Sequence, residues 1–480
     1  MNLPDLLGTG APDVEITALA YDNRVVRPGT LFFCVPGFTR DGHDFAPDAV
    51  GRGAAALVVA RPLGLGVPEV RVGDVRAAMA RAAARFHGDP TAELPVVGVT
   101  GTSGKTTTTW LVRALLEAAG MPCGLLGTVT SVVAGAAAPL ARTTPEAIDL
   151  QATFRAMLDG GDRACAMEVS SHALDLHRVD GVRFAVAAFT NLSQDHLDFH
   201  PDMEAYFAAK RRLFHDFDVG AAVVSTDDEW GRRLAAERPG AVTVAVERDA
   251  DWRAVDVRPG LGGTAFRVIS PAGEADVTLP LRGRFNAANA LVALACGHAL
   301  GLSLEGMAAA LAAAPPVPGR VQPVEEGQPF AVLVDYSHKP AALENVLATA
   351  RDMAAGRVIV VFGAGGDRDR GKRPVMGAIA AQLADIAVVT SDNPRSEAPE
   401  AIIDEILAGV PEGAAGVERI ADRRAAIARA VSLAGAGDVV VIAGKGHERG
   451  QEFAGGRKEP FDDVAVAREA LRAARAEMPA

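Results

Sequence analysis

Cysteine is scarce. The 480 residues contain four, Cys34, Cys123, Cys165 and Cys296, widely spaced and without a CxxC pair. That excludes a disulfide framework and a cysteine-based zinc site, and leaves buried, reduced thiols as the expectation. Long apolar runs are missing too: none reaches the roughly 20 residues that a membrane-spanning helix needs. The first residues, Met1-Asn2-Leu3-Pro4-Asp5, lack the basic head and apolar stretch of a secretory signal. A cytoplasmic protein with no membrane insertion is therefore expected. Positive charge is in deficit, with 48 Lys and Arg against 60 Asp and Glu and a net charge of −12. This argues against non-specific binding to nucleic acid or to anionic membrane. An anionic substrate would have to be met by local clusters of Arg and Lys. No internal repeat or disordered tract is evident.

What is present falls into three blocks. About half of the residues are hydrophobic, ample for two or three packed cores. Residues 1–88 mix short strands (Leu31-Phe32-Phe33-Cys34-Val35 and Ala56-Leu57-Val58-Val59) with a helix near Val75–His87, and end at the breaker Gly88-Asp89-Pro90. Residues 89–315 alternate strands and helices up to the proline-rich stretch Ala314-Pro315-Pro316-Val317-Pro318-Gly319. Residues 316–480 open with the strand Ala331–Asp335. They continue with strands at Val358–Phe362, Ile386–Thr390 and Val439–Ala443, separated by helical patterns. That order predicts a parallel, doubly wound, Rossmann-like sheet with ligands at its carboxyl ends. The fold class is α/β: a small α/β domain, a central nucleotide-binding domain with a mainly parallel sheet, and the C-terminal doubly wound domain.

The second block carries the strongest motif. Val96-Val97-Gly98-Val99-Thr100 runs into Gly101-Thr102-Ser103-Gly104-Lys105-Thr106-Thr107, and a helical pattern follows. Strand, Gly-rich turn and helix is the context of a phosphate-binding loop. Its N–H groups and the helix N-terminus cradle phosphates, Lys105 neutralises the β/γ charge, and the Thr106 hydroxyl sits on Mg²⁺. The strict pattern places glycine where Val99 stands, so the loop is a variant. Glu168, ending the apolar approach Ala164-Cys165-Ala166-Met167, is a plausible Mg²⁺ ligand. Asn191-Leu192-Ser193-Gln194-Asp195-His196-Leu197-Asp198-Phe199-His200 packs two histidines and two aspartates together. With no further Cys/His pair at zinc spacing, Mg²⁺ is favoured there. Lys210 falls on the apolar arc of a helix over Asp202–Phe214. Pattern alone favours an ammonium snorkelling to water. The alternative is a buried amine of lowered pKa that combines with CO₂ to give an anionic, metal-binding carbamate.

In the third block four charged loops close strands: Asp335-Tyr336-Ser337-His338-Lys339-Pro340, Gly363 to Arg373, Asp392-Asn393-Pro394-Arg395 and Gly444-Lys445-Gly446-His447-Glu448. Arg368 and Arg395 suit carboxylates and Glu448 suits an ammonium, so the inventory fits an amino acid.

Taken together these residues resemble the Mur ligases of peptidoglycan synthesis. The resemblance spans essentially the whole chain and also rests on Thr143-Thr144-Pro145, Glu168-Val169-Ser170-Ser171-His172, Tyr206-Phe207-Ala208-Ala209-Lys210, Gly283 to Ala290, Pro318-Gly319-Arg320 and Gly365-Gly366-Asp367-Arg368. It implies a UDP-binding first domain, a central ATPase and a C-terminal amino-acid domain. The activity implied is amide-bond ligation through an acyl-phosphate. Asp392-Asn393-Pro394-Arg395 is similar to the family's diaminopimelate-recognition tetrad, in which the arginine distinguishes that acceptor from lysine.

Residue by residue, the resemblance implies catalytic roles for Lys105, Lys210, His196 and His338. It implies ATP contacts by Gly101, Thr102, Ser103, Gly104, Lys105, Thr106, Thr107, Asn289 and Arg320. UDP-N-acetylmuramoyl dipeptide is assigned to Asn23, His43, Thr143, Thr144, Ser170 and Arg178. meso-Diaminopimelate is assigned to Arg368, Asp392, Asn393, Pro394, Arg395, Gly444 and Glu448. Mg²⁺, the implied cofactor, falls to Thr106, Glu168, His196 and a carbamylated Lys210, which replaces the snorkelling reading. ATP is the co-substrate and a monomer is expected. Two positions depart from the family's habit: Asn23 stands where serine is common, and Leu176 where glutamine is.

Overall fold

The computed structural model describes all residues except Thr9, Ala141, Ala415 and 478–480. The chain divides into two compact units, one of Met1–Val244 with Val292–Ser303, the other of Ala245–Leu291 with Leu304–Ala480.

The first unit holds two sheets. Ala18–Ala20, Thr30–Phe33, Ala54–Val59 and Glu69–Arg71 pair in that order as a parallel sheet. The helix Val75–Phe86 packs on it, because its alanines and Met79 offer an almost featureless apolar face. Asp74 caps this helix by accepting from the Ala77 N–H at 2.8 Å. The larger sheet is built around β1 (Val96–Thr100), which runs into α1 (Lys105–Ala118). The remaining elements are β2 (Cys123–Leu126), β3 (Ala164–Glu168), β4 (Phe184–Phe189), α2 (Met203–His215), β5 (Val219–Ser225) and β6 (Val242–Ala245). The strand order is β6-β5-β4-β1-β3-β2, all parallel, with the short hairpin Ser131–Val133 and Ala136–Ala138 antiparallel at the β2 edge. Every residue of β1 and β3 is buried. Such strands are covered on both faces, as parallel sheets require.

The four cysteines are buried and free. Burial pushes the Cys34 and Cys123 thiols up to about 12, which keeps them protonated and inert.

The second unit contains an antiparallel meander, Trp252–Gly260, Gly263–Ser270 and Gly273–Leu279. The alternation of strands and helices read from the sequence does not include it. The physical reason is visible in Gly263–Ser270, whose Thr264, Phe266 and Val268 are buried while the residues between them face outward. That is period-two patterning, the mark of a sheet with one wet face.

Beyond the meander, β7 (Ala331–Asp335), β8 (Val358–Phe362), α3 (Lys372–Leu383), β9 (Ile386–Val389) and β10 (Val439–Ala443) form the doubly wound core. The parallel order is β7-β10-β8-β9, extended by Val417–Arg419, with the antiparallel pair Gln322–Pro323 at the β7 edge. β8 shows why two layers of helix are needed. Val358, Val360 and Phe362 enter one core with Leu343, Leu347 and Ile403. Ile359 and Val361 enter the opposite core with Ile427, Val431 and Leu471. A further short strand, β11 (Gly450–Glu452), pairs antiparallel with Lys458–Pro460, and α4 (Asp463–Glu477) follows. Among the described residues no helix is long and apolar enough to cross a membrane.

Candidate active site

The phosphate loop closes β1. Gly101 has φ +144° and Gly104 φ +86°, both in the region that favours glycine. Gly104 is the N-cap of α1, so N–H groups at the loop and helix start converge as an anion cradle. Lys105 Nζ donates to the carbonyls of Gly101 and Thr102, 2.9 Å each. The loop after β4 staples this cradle in place. Thr190 Oγ1 donates to the Ser103 carbonyl at 2.6 Å, and Asn191 Oδ1 accepts from the Ser103 N–H at 3.0 Å.

Thr106 Oγ1 donates to Glu168 Oε1 at 2.9 Å, and both residues are buried. A hydroxyl and a carboxylate held together at the start of the phosphate-loop helix fit a magnesium ion, which takes few protein oxygens and completes its shell with phosphate and water. Glu168 is fixed by a residue that sequence reasoning missed. Thr128 donates its N–H to Oε1 at 2.8 Å and its hydroxyl to Oε2 at 3.0 Å. The signal for Thr128 was weak: a polar residue just after the carboxyl end of β2.

Lys210 is 1% exposed, so its ammonium does not snorkel. α2 is capped at its start by Asp202, which accepts from the Ala205 N–H, and its Tyr206, Leu213 and Phe214 pack into the core on the face that carries Lys210. Nζ donates to the Gly101 carbonyl at 2.8 Å and lies 4.6 Å from the Tyr206 ring centre. Lys105 and Lys210 thus share one acceptor, the carbonyl of the loop's first glycine. His196, with φ +53°, pairs through Nε2 with Asp195 at 3.0 Å, and its ring lies 6.0 Å from Tyr206 and 4.8 Å from His172. Burial holds His172 and His200 below the usual imidazole range; Lys210 adds to this at both and Arg178 at His172. Among the described residues no three His, Cys, Asp or Glu side chains form a metal cage. A second ion in this region would rest on His196, phosphate oxygens and a modified Lys210.

Thr143, Thr144, Ser170 and Arg178 come together beside Glu168. Thr144 Oγ1 donates to the Glu168 carbonyl at 2.9 Å and accepts from the Ser170 N–H at 3.2 Å. Thr143 and Thr128 hydroxyls are 3.1 Å apart. Arg178 pairs with Glu146 at 3.0 Å. Glu146, unflagged by sequence although it directly follows Thr143-Thr144-Pro145, also receives Arg76 at 3.1 Å and Arg142 at 2.5 Å. Arg76, Arg142 and Glu146 line a cavity of about 540 Å³ together with Asn23, Arg24 and Arg40. Asp22 and Glu146 share this lining, Asp22 paired with Arg24 at 2.6 Å and Glu146 with Arg76 and Arg142, so four arginines face two carboxylates around one cavity. Asn23 donates to Asp48 at 2.7 Å. His43 sits behind the wall. Its ring is buried, Nδ1 is 2.6 Å from Asp41, and Nε2 accepts from the Ala60 N–H at 3.0 Å.

The second unit carries the remaining groups. Asn289 donates to Asn286 Oδ1 at 3.0 Å. The Arg320 guanidinium lies 4.8 Å from the Tyr336 ring centre, and the His338 ring packs on the same tyrosine at 4.5 Å. His338 Nδ1 is 2.7 Å from the Tyr336 carbonyl. A carbonyl only accepts, so Nδ1 carries the proton and Nε2 is the basic nitrogen.

The loops after β8, β9 and β10 bring Asp392, Asn393, Arg395, Gly444 and Glu448 together. Gly444 has φ +121°, and a Cβ there would come 2.8 Å from Asp392 Oδ2, so only glycine lets the two loops approach. Asn393 Nδ2 donates to Glu448 Oε2 at 2.9 Å. Lys445, fully buried and unassigned by sequence, donates to Asn393 Oδ1 at 3.0 Å and to Glu448 Oε2 at 3.1 Å. Arg395 Nη1 donates to the Gly366 carbonyl at 2.8 Å. Arg368 is exposed, its Nη1 3.4 Å from the Asp367 carbonyl. Two neighbouring arginines are scaffold. Arg373 is buried against Glu397 and Glu405, and Arg423 against Asp463 at 2.7 Å.

Comparison with known proteins agrees along the chain. Models of the Mur ligase family match in three parts: the catalytic domain at residues 15–87, the middle domain at 99–297 and the glutamate ligase domain at 319–446. The UDP-N-acetylmuramoyl-L-alanyl-D-glutamate–2,6-diaminopimelate ligase of Geobacillus kaustophilus is 48% identical over 473 residues, 96% of each chain. That of Streptomyces coelicolor is 48% identical over 485 residues, 98% of this chain and 96% of the relative. A solved structure of a ligase of the same name is 32% identical with a TM-score of 0.72, covering 99% of each chain. MurF ligase from Thermotoga maritima in complex with ADP shares the fold at 20% identity, with a TM-score of 0.64 over 95% of this chain and 96% of that one. The chain belongs to the Mur ligase family.

Proposed function

We propose that this chain is an ATP-dependent acid–amino-acid ligase that joins meso-diaminopimelate to UDP-N-acetylmuramoyl-L-alanyl-D-glutamate in peptidoglycan biosynthesis, releasing ADP and phosphate. The observation that carries the acceptor is the loop Asp392–Arg395 with its partners. Among the described residues, Arg395 Nη2 donates no protein hydrogen bond and Glu448 Oε1 accepts none. One cationic donor and one anionic acceptor, both tied to Asn393, Glu448 directly and Arg395 through Glu452, suit the carboxylate and ammonium of an amino acid. The names borne by relatives such as those of Geobacillus and Streptomyces supply the substrates.

The chemistry follows from charge. The attacking D-glutamyl γ-carboxylate and the ATP phosphates are all anionic, so catalysis is positioning plus neutralisation. Gly101–Thr107 hold the phosphates, and Lys105 turns from the loop carbonyls to the β/γ oxygens. Thr106 and Glu168 would hold Mg²⁺, which would neutralise charge on the phosphates. The Arg24, Arg40, Arg76 and Arg142 cavity takes the UDP end of the substrate, and Thr143, Thr144, Ser170 and Arg178 take the dipeptide. The carboxylate oxygen bonds to the γ-phosphorus and ADP leaves. The acceptor amine then attacks the acyl carbon, the bond to phosphate breaks, and His338 Nε2 takes the amine proton. Lys210 is a carbamate in the working enzyme: the ammonium first gives up a proton, the free amine bonds to CO₂ and gives up a second, and a cation beside the phosphate loop becomes an anion that, with His196, would hold a metal ion. The three sequence blocks, 1–88, 89–315 and 316–480, are the UDP, ATP and amino-acid domains. ATP and nucleotide-sugar substrates place the reaction in the cytoplasm.

The test is ADP release by the purified chain with all three substrates and with each omitted. Mass spectrometry of the product completes it. Release that needs all three, with product heavier than the dipeptide by one diaminopimelate less water, is the expected result. Release without the muramoyl substrate overturns the reading.

A further inference from the structure

The Asp392–Arg395 loop does not hold itself. β11 lies along it. Gln451 Nε2 donates to the Asp392 carbonyl at 2.5 Å and to Ser391 Oγ at 3.2 Å. The Glu452 N–H donates to Asn393 Oδ1 at 3.0 Å, and the Arg395 N–H donates to the Glu452 carbonyl at 3.0 Å. Finally, Arg395 Nε donates to Glu452 Oε2 at 3.1 Å. Glu452 therefore grips the loop at three points: its N–H, its carbonyl and its carboxylate.

Arg395 needs this grip. Its φ is +50°, a left-handed conformation that an arginine keeps only where the surroundings over-determine it. The backbone bond to the Glu452 carbonyl fixes the main chain. The carboxylate then fixes the side chain by occupying Nε, while the Gly366 carbonyl occupies Nη1. What remains for a ligand is Nη2. A guanidinium whose Nε and Nη1 are both taken cannot rotate, so it presents Nη2 in one direction. Arg395 is 22% and Glu452 33% exposed at the side chain, so the pair stands at the wall of the site and not in the core.

We infer that Glu452 is a positioning residue that determines specificity for the amino-acid acceptor, by fixing the reach and direction of the Arg395 guanidinium. The inference rests on the acceptor reading above. A carboxylate lying at the distance that Arg395 reaches is clamped, and an acceptor without one leaves the cation satisfied by Glu452 alone.

The experiment compares steady-state kinetics of Glu452→Ala, Glu452→Gln and Arg395→Ala with the parent, varying meso-diaminopimelate at saturating ATP and muramoyl dipeptide. Glu452→Ala is expected to raise the acceptor KM about tenfold or more, the effect of losing one charge-assisted contact. Its kcat, and the KM values for ATP and the muramoyl substrate, stay within about threefold of the parent. Glu452→Gln keeps an oxygen for Nε and recovers most of the acceptor KM. An acceptor KM that is unchanged or lowered in Glu452→Ala overturns the inference, since a lowered value would make Glu452 a competitor of the ligand. Arg395→Ala separates the two levels. If it too leaves the acceptor KM unchanged, the acceptor reading itself falls. If it raises KM while Glu452→Ala does not, only the role of Glu452 falls.

Discussion

Gly101→Ala tests whether the phosphate loop works as one clamped object. A Cβ at Gly101 would lie 1.9 Å from Thr190 Oγ1 and 3.1 Å from the backbone of Asn191, and φ is +144°. Thr190 cannot turn away without losing its 2.6 Å bond to the Ser103 carbonyl. Held in place, the loop would bear about 1–3 kcal/mol of backbone strain, about 1–3 of overpacking and about 1 for the lost hydrogen bond. It relaxes instead, and the Gly101 carbonyl moves. That carbonyl is the acceptor for both Lys105 and Lys210, so both cations shift with it. We expect kcat/KM for ATP to fall at least about a hundredfold, the equivalent of some 2.7 kcal/mol. The assay is ADP release with all substrates present, beside a thermal melt to separate misfolding from misalignment. Adding Thr190→Ala removes the clashing oxygen and should recover part of the loss, giving a favourable coupling in the double-mutant cycle. A single variant within about threefold of the parent, or a cycle without coupling, would refute the clamp.

Further outcomes follow from the same geometry. Lys210→Met should abolish ligase activity and remove a carbamate signal seen by ¹³C NMR after exposure to ¹³CO₂. The spectrum is simple because the chain has only six lysines, and a parent enzyme without that signal would contradict the carbamate. Arg423→Met should cost about 3–5 kcal/mol, because Asp463 is left buried and unpaired, while Arg423→Met with Asp463→Leu should cost much less; denaturant melts decide. Glu397 is held at about 2 by its bonds to Arg373 and the Asp367 N–H, against an ordinary 4.5. Its folded value is depressed, so its stabilisation is complete above pH 4.5 and is lost as pH falls toward 2. Glu397→Gln should remove about 1–2 kcal/mol at neutral pH and flatten the acid limb of a stability–pH curve.

How much of this was legible in the sequence depended on where the information lay. β7, β8 and β10 are unbroken apolar, β-branched runs buried on both faces, and their bounds match the expectation from sequence. The meander Trp252–Leu279 was not foreseen, because its alternating pattern lies inside a region read as strand–helix units. Loop residues carried by a local motif, such as Lys105 and Thr106, were recognisable from spacing alone. Glu146, Thr128, Lys445 and Glu452 were not, because each acts through partners distant in the chain. Glu146 holds Arg76 from 70 residues away, and Arg395 is 57 residues from Glu452. Arg373 and Arg395 look equally functional on paper. One is sealed against two glutamates, and only the fold separates them. Lys210 shows the limit of periodicity: its position on the apolar arc was correct, but the arc could not say whether the amine reached water or Gly101.

The central claim is that Arg395 selects an acceptor with a distal carboxylate. The most direct measurement is the ratio of kcat/KM for meso-diaminopimelate over L-lysine, in the parent and in Arg395→Ala. The parent should show at least about a thousandfold preference, the scale expected when a site built to bind a charged group meets an analogue lacking it, and the variant a collapse to within about tenfold. A parent that uses lysine equally well, or a variant that keeps the preference, would contradict it.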